Sequence, residues 1–225
     1  MKPTLFIFLL CLAVCPAFSQ NCNYYYLQNG KTAEITFYSK KGEENGKSIY
    51  AVTSAAKSGN SSSATVQSEV FNKKGKTIGK GTNNVKCENG VLMVDLKAFI
   101  SPEQAEQIKA DAKASDVYLF YPASMKEGDA LPDGKMNLDI QQDNGMKTNV
   151  DIKITDRKVD GQESITTTAG TWNCYKISYH SAIKVAIMGI GIPIKAEITE
   201  WFAPNFGVVK TESSKGGTTV LTKFE

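Results

Sequence analysis

The chain has 225 residues, of which 41% are hydrophobic and 22% charged, and its formal net charge is +3. These proportions exclude a largely disordered chain, and the length suits one large domain, as all-β folds of this size commonly form. A net charge so close to zero argues against a nucleic-acid partner.

The first 19 residues have the features of a secretory signal peptide. Lys2 precedes an apolar run at residues 5–14, and Ala17 and Ser19 place small residues at positions −3 and −1 of a cleavage site. We predict cleavage after Ser19 and an exported mature chain that begins at Gln20. Only Lys2 among the charged residues is removed, so the mature net charge is 25 − 23 = +2. The predicted compartment is the periplasm, the outer-membrane surface or the extracellular space.

A lipoprotein is the alternative, because residues 12–15 resemble the approach to a lipidated cysteine at Cys15. Signals of that kind place a small residue before the cysteine, and Val14 departs from this pattern. No later segment is long and apolar enough to predict a transmembrane helix in the mature chain.

Short alternating segments separated by polar turns fill residues 31–96. Alternation at residues 33–37, 49–53, 65–71 and 91–96 predicts strands, and a further strand runs towards Cys87. The pair Asn89-Gly90 predicts a tight hairpin turn. The Ser- and Gly-rich run at residues 57–63 predicts a loop.

One surface helix is predicted near residues 101–115. Ser101 is a candidate N-cap, Pro102 suits the first helical position, and Gln104 can complete a capping box.

The second half is again strand-like, with a turn predicted at Asp160-Gly161. Its two longest segments are the most regular. Period-two alternation puts Tyr175, Ile177, Tyr179 and Ile183 on one face, and the returning segment does the same with Ile192, Ile194, Ala196, Ile198 and Phe202. The fold class is therefore all-β with one surface helix. About a dozen antiparallel strands in meander order should form a large curved sheet or half-barrel, in a single domain over residues 20–225.

Three cysteines follow the predicted cleavage site, namely Cys22, Cys87 and Cys174. An oxidising compartment favours one disulfide and one free thiol. In an up-and-down meander, the start of the first strand and the end of the fourth lie at the same end of the sheet, which predicts a Cys22–Cys87 bridge. The cysteines are far apart in sequence and His180 is the only histidine, so we expect no metal site and no cofactor.

Candidate catalytic residues are few. His180 could act as a base for Ser178, and Asp151 with Asp156, or Glu197 with Glu200, could form carboxylate pairs. No Gly-x-Ser-x-Gly motif accompanies the serines, and charges on the polar faces of strands are ordinarily solvated. We therefore expect no enzyme and no catalytic residue.

The apolar run at residues 185–194 abandons the alternation where the two longest strands should meet. The favoured interpretation is a buried hairpin tip that folds over one end of the sheet. The alternative is an exposed lip that contacts a ligand or partner through Val185, Ile187, Met188, Ile190, Ile192 and Ile194.

Four motifs resemble a known family. They are VKCENGV at 85–91, LPDG at 131–134, AGTWNCYKI at 169–177 and EWFAPNFGVVKTE at 200–212. Together they resemble the TapB-like family of exported Bacteroidetes proteins, a domain of unknown function. The resemblance implies an exported β-sheet domain, and its curved sheet is similar in fold to half-barrels that carry lipoproteins and lipids across the envelope.

Two functional hypotheses follow. One is a binding module for an apolar or lipid-like ligand. The other is a structural or protein-interaction module of the envelope with no small-molecule ligand. A cavity lined by Ile and Tyr side chains would favour the first, and a core filled to normal density would favour the second.

Overall fold

The computed structural model describes residues 22–96, 117–141 and 147–225. The predicted signal peptide and the helix predicted near residues 101–115 lie outside these ranges. The described chain contains one 3-10 turn at Tyr25–Leu27 and twelve strands. The strands are β1 (Thr32–Tyr38), β2 (Glu44–Ser58), β3 (Ser61–Asn72), β4 (Thr77–Glu88), β5 (Val91–Asp95), β6 (Tyr118–Tyr121), β7 (Gly134–Gln141), β8 (Lys147–Thr167), β9 (Gly170–Ile187), β10 (Ile194–Ala203), β11 (Gly207–Ser213) and β12 (Thr218–Phe224).

All twelve strands belong to one antiparallel sheet. Its order is β6-β5-β4-β3-β2-β1-β12-β11-β10-β9-β8-β7, so neighbours in space are neighbours in sequence except where β1 pairs with β12. The predicted all-β class, the meander order and the strand number are confirmed. The prediction was an open half-barrel, whereas the observed sheet curls until it is nearly closed.

The two edges of the sheet approach each other at a seam between β6 and the β7–β8 edge. Arg157 on β8 donates from Nη1 to the carbonyl oxygens of Phe120 and Pro132, both at 2.9 Å. A Cβ on Gly134 would lie 2.9 Å from Cδ1 of Leu119 and 3.1 Å from Cδ2 of Leu96, so a larger residue would have to displace these two buried side chains. The LPDG motif therefore lies at the seam, where Pro132 supplies an acceptor and Gly134 supplies space.

Two predicted interruptions of the sheet are wrong. Residues 57–63 are not a loop, because β2 and β3 pair as far as Ser58 and Ser61 and leave only a two-residue turn. Asp160-Gly161 is not a turn, because β8 runs through it to Thr167. The register shifts there, and the extra residue is absorbed as a bulge with Gly161 at φ 152°.

The N-terminal segment closes one end of the sheet. We call residues 22–28 the plug. Cys22 is joined to Cys87 on β4 by a disulfide, the pair that the strand count predicts. The Tyr24 hydroxyl donates to the Gly90 carbonyl oxygen at 2.7 Å, and the Tyr25 amide donates to the Phe206 carbonyl oxygen at 2.9 Å. The plug is thus fixed to two separate hairpins.

The free thiol of Cys174 is buried in a second apolar cluster with Trp201 and Leu221, to which Tyr25 of the plug also belongs. Burial, with a smaller contribution from the charge of Glu163, raises the pKa of Cys174 to about 12. Because the thiolate is the reactive form, this cysteine is a packing residue.

Candidate ligand cavity

A cavity of about 350 Å³ lies inside the curled sheet, above the plug. Five tyrosines line it, together with nine aliphatic side chains. The tyrosines are Tyr25, Tyr26, Tyr50, Tyr121 and Tyr179, and the aliphatic residues are Ile35, Val66, Val85, Val94, Ile183, Ile198, Val208, Val209 and Leu221. A mostly apolar wall with a few polar groups is typical of a small-molecule site, and the volume is at the lower end of the usual range.

The core is filled unevenly around this cavity. Val150, Ile152 and Ile154 on β8 have no exposed surface, as expected for inward side chains of a packed sheet. In contrast, Ile183 and Ile198 lie on the inner faces of β9 and β10 and are only half-buried, because they border the open space. The interior therefore contains an open space lined by Ile and Tyr side chains and is not packed throughout.

Among the residues that the structure describes, Glu200 is the one acidic side chain in the cavity wall. It lies on β10, on the same face as Ile198 and Phe202, and is only 3% exposed. The Tyr179 hydroxyl is 3.5 Å from its Oε2, which is the long limit of a hydrogen bond, and its Oε1 has no hydrogen-bond partner in the described ranges. The wall thus contains a buried acceptor with unused capacity.

The charge of Glu200 is opposed by its burial and supported by its neighbours. Burial raises the pKa of Glu200 above its ordinary value. The positive charge of Arg157 lowers that pKa by less, as do the phenols of Tyr121 and Tyr179. Burial also raises the pKa of both tyrosines, so they remain neutral donors near neutral pH.

Arg157 is directed inward by a bulge in β8. Thr155 pairs with His180 and Lys158 pairs with Ser178, so two residues of β8 fill the interval opposite one residue of β9. Asp156 takes a positive φ of 57° and points outward, and Arg157 points inward with 2% exposure. Its Cζ atom is 4.9 Å from the ring centroid of Tyr121.

Tyr121 connects this cation to the rest of the core. Its ring stacks on Phe202 with centroids 4.8 Å apart and planes 11° apart. The phenol acts on Glu200, and the ring face receives Arg157. The surroundings of the Glu200 carboxyl are therefore set by packed side chains from β6, β8 and β10.

The apolar run between β9 and β10 is exposed, so the favoured interpretation of a buried tip is wrong. We call residues 185–194 the lip. The exposed fractions are 72% for Met188, 82% for Ile190, 87% for Ile192 and 62% for Ile194. The tip is uncovered because β11 ends opposite Ile198, so the hairpin projects beyond its neighbour.

The lip lies at the opposite end of β10 from the plug. β10 runs from Ile194 at the lip to Ala203, next to the turn whose Phe206 contacts the plug. Ile194 is paired with Ile183, which is part of the cavity wall. The inner face of this hairpin is therefore largely apolar from the cavity to the lip, interrupted by Ser181, and Val185 on that face is half-buried.

The catalytic candidates are not brought together. His180 Nδ1 lies 3.1 Å from Asp156 Oδ2 on the outer face, with 61% and 74% of the side chains exposed. This hydrogen bond is the main cause that lowers the pKa of Asp156. Asp151 pairs instead with Lys153 at 3.0 Å. The pairs of His180 with Ser178 and of Asp151 with Asp156, which the sequence analysis considered and did not favour, are not the contacts that these side chains make.

The second carboxylate pair is excluded by the pleat. Glu197 and Glu200 are three positions apart on β10, so they point to opposite faces, and Glu197 is exposed. Across the described ranges, no group of three or more His, Cys, Asp and Glu residues could hold a metal ion. No helix within those ranges is long and apolar enough to cross a bilayer.

A larger concavity of about 910 Å³ lies on the outer face of β8–β10. Charged side chains of both signs dominate its rim, among them Asp151, Lys153, Lys184, Lys195 and Glu197. Such side chains remain hydrated at little cost, and the groove lacks the buried polar group that the inner cavity has. The inner cavity is therefore the better candidate despite its smaller volume.

Sequence reasoning missed the tyrosines of the plug and the position of Glu200. The plug has no period-two signal because it forms a 3-10 turn. Glu200 did have a signal, because the alternation Ile194, Ala196, Ile198 and Phe202 leaves its position on the same inward face. A charged residue within an otherwise apolar face is the pattern that could have identified it.

The fold and cavity define a class of nearly closed antiparallel meanders with an interior space. A family model described as DUF3108-like matches residues 28–223, and the chain belongs to that family. Among curated proteins, none matches the chain.

Two solved structures share the fold. One is a predicted lipoprotein from Parabacteroides distasonis, with 23% identity and a TM-score of 0.72 over 91% of this chain and all of that one. The other is a protein from Bacteroides fragilis that is predicted to be exported and has a YmcC-like fold. It has 22% identity and a TM-score of 0.70 over 88% of this chain and 96% of that one.

These similarities bear on the resemblance drawn from the four motifs. They give Bacteroidetes proteins of the same fold and a family of unknown function, as the resemblance implied. The family description is DUF3108-like, however, and the TapB-like name is not the one that the match supports.

Proposed function

We propose that the protein is an exported, non-catalytic binding domain that holds an apolar ligand inside its curled sheet. The observation that carries the proposal is the cavity of about 350 Å³ walled by tyrosine and aliphatic side chains. Burial of a ligand there removes apolar surface from water, at roughly 25 cal/mol for each Å². Export is supported by the signal-peptide pattern and by the two similar structures, which come from proteins predicted to be a lipoprotein or exported.

The two ends of the sheet have different parts in this proposal. The plug is fixed by a disulfide and hydrogen bonds, and closes one end. The lip exposes large apolar side chains at the other end, next to the wall formed by Ile183 and Ile198. We place the route of the ligand at the lip, because an apolar molecule can leave a membrane or carrier without crossing a polar surface there.

Filling the cavity should abolish binding without unfolding the domain. Asn83 lines the cavity from β4, and Asn84 is the next residue, on the opposite face. We expect protein purified gently from its native host to retain apolar molecules, detected by mass spectrometry of an organic extract. Asn83→Phe should lose them, because the added ring occupies the space.

Asn84→Phe is the matched control, since it adds the same ring to the outer surface and should retain the molecules. Retention by both variants would place the bound molecules elsewhere and contradict the proposal. An empty wild-type extract would favour the alternative, an envelope module without a small-molecule ligand.

A charge on the lip should impair ligand capture and leave the fold intact. Ile190 is 82% exposed, so Ile190→Asp should change the free energy of unfolding by no more than about 0.5 kcal/mol. Transfer of a ligand from vesicles should slow, because the carboxylate disfavours contact with hydrocarbon. Thermal melts and a transfer assay measure the two effects.

Ile190→Leu is the control for the lip, because it keeps an apolar side chain of the same size. We expect it to transfer ligand like the wild type. Unchanged transfer by Ile190→Asp would remove the lip from the proposal, whereas a large loss of stability would mean that the tip is packed after all.

A further inference from the structure

We infer that the cavity selects apolar ligands that carry a hydroxyl group, and that Glu200 accepts the hydrogen bond of that hydroxyl. This inference rests on the proposed function, because it names the class of molecule that the same cavity takes. The observation behind it is a carboxylate that is 3% exposed, lines an apolar cavity and has no partner for Oε1 within the described chain.

An unpartnered buried acceptor is uncommon in folded proteins. Buried polar atoms are nearly always hydrogen-bonded, and an unsatisfied charged group is the most costly kind. The Tyr179 hydroxyl approaches Oε2 only at 3.5 Å, and the Tyr121 phenol, which also acts on this carboxyl, leaves Oε1 without a hydrogen bond. A ligand that brings a donor to Oε1 therefore gains a buried hydrogen bond and relieves an existing deficit.

The charges nearby favour a neutral donor over a cation. Arg157 is 2% exposed and its charge acts on Glu200, so one buried cation already balances the one carboxylate. Lys210 also lines the cavity, and its amine is already paired with the Glu212 carboxylate at 2.7 Å. An ammonium ligand would add positive charge that lacks a second counterion, and a carboxylate ligand would face Glu200 itself. A hydroxyl supplies the donor and adds no charge.

The volume limits the size of the molecule. At about 30 Å³ for each non-hydrogen atom, the share of one water molecule in the liquid, a 350 Å³ cavity holds about twelve. With the hydroxyl at Glu200, the hydrocarbon would extend along Ile198 and Ile183 towards the lip. A medium-length alcohol, or the hydroxylated end of a longer lipid, has this shape.

The test compares two isomers in the wild-type protein. The molecules 1-octanol and 1-methoxyheptane have the same atoms, and only the alcohol can donate a hydrogen bond. Titration calorimetry should show that the alcohol binds roughly tenfold more tightly, as expected for one additional hydrogen bond in a buried site. In Glu200→Met, which keeps the length and removes the acceptor, the ratio should fall to about one.

Glu200→Gln keeps a neutral acceptor and serves if the methionine variant fails to fold, and in it the ratio should lie between these values. Equal binding of the two isomers to the wild type would overturn the inference while leaving the apolar site in place. Tighter binding of octylammonium than of octanol would also overturn it, because recognition would then be of charge. If none of the three molecules binds, the proposed function fails together with the inference.

Discussion

Replacing Cys22 with serine and Cys87 with alanine in one chain should lower the free energy of unfolding by about 4 kcal/mol. The bridge spans a sequence separation of 65 residues, and the chain-entropy model assigns this value to a closed loop of that length. For a domain of this size the melting temperature should fall by roughly 10 °C. Thermal and denaturant unfolding, monitored by far-ultraviolet circular dichroism, measure the effect.

The control for this prediction is Cys174→Ala, which removes a buried thiol without opening a loop. Cys174→Ala should lower the free energy of unfolding only by the cost of a small packing defect. If the double variant loses no more stability than Cys174→Ala, the bridge does not constrain the unfolded chain. The double variant should also release the plug. We therefore expect it to lose bound ligand while it keeps most of its secondary structure.

Strand alternation predicted most of the fold. The inward faces of β9 and β10 were predicted from period two alone, and Ile177, Tyr179 and Phe202 are buried as that pattern requires. The disulfide followed from counting strands, because in a meander the parity of the strand number fixes which end of the sheet a residue occupies. Both inferences depend only on local geometry, which the sequence specifies directly.

Features that depend on irregular backbone could not be predicted. The alternation Val150, Ile152 and Ile154 would place Asp156 inward, and a bulge after Thr155 reverses this and brings Arg157 inside. A bulge has little sequence signal where no glycine marks it. The sequence therefore did not predict that Arg157 is a buried cation of the interior. For the same reason it did not explain how a carboxylate is accommodated at Glu200.

The lip shows a different limit of prediction from the sequence. An apolar run with broken alternation fits a buried tip and an exposed one equally well, because sequence patterns do not state what covers a segment. Exposure was decided by the early end of β11 opposite Ile198, which is a property of a different strand. Prediction of such a site needs the lengths of neighbouring strands, whose bounds are the least certain part of a sequence-based prediction.

Arg157→Met should destabilise the domain by about 3 kcal/mol or more, because each of its two hydrogen bonds from a charged donor contributes about 1.5 to 3 kcal/mol. Arg157 is 2% exposed, its charge supports that of Glu200, and its Nη1 holds the carbonyl oxygens of Phe120 and Pro132 at the seam. Methionine fills a similar volume, so the loss should reflect the charge and the two hydrogen bonds rather than a cavity. Urea unfolding at constant pH measures it.

Lys158→Met is the matched control, because this neighbour on β8 is an exposed lysine and its substitution should cost no more than about 0.5 kcal/mol. Adding Glu200→Met to Arg157→Met removes the remaining buried charge, and the double variant should recover part of the lost stability. Recovery would show that the two charges are coupled across the cavity wall. If the double variant is instead less stable than Arg157→Met by the full cost of Glu200→Met alone, the two side chains act independently, and the role of Arg157 is confined to the hydrogen bonds that join β6 to the LPDG segment.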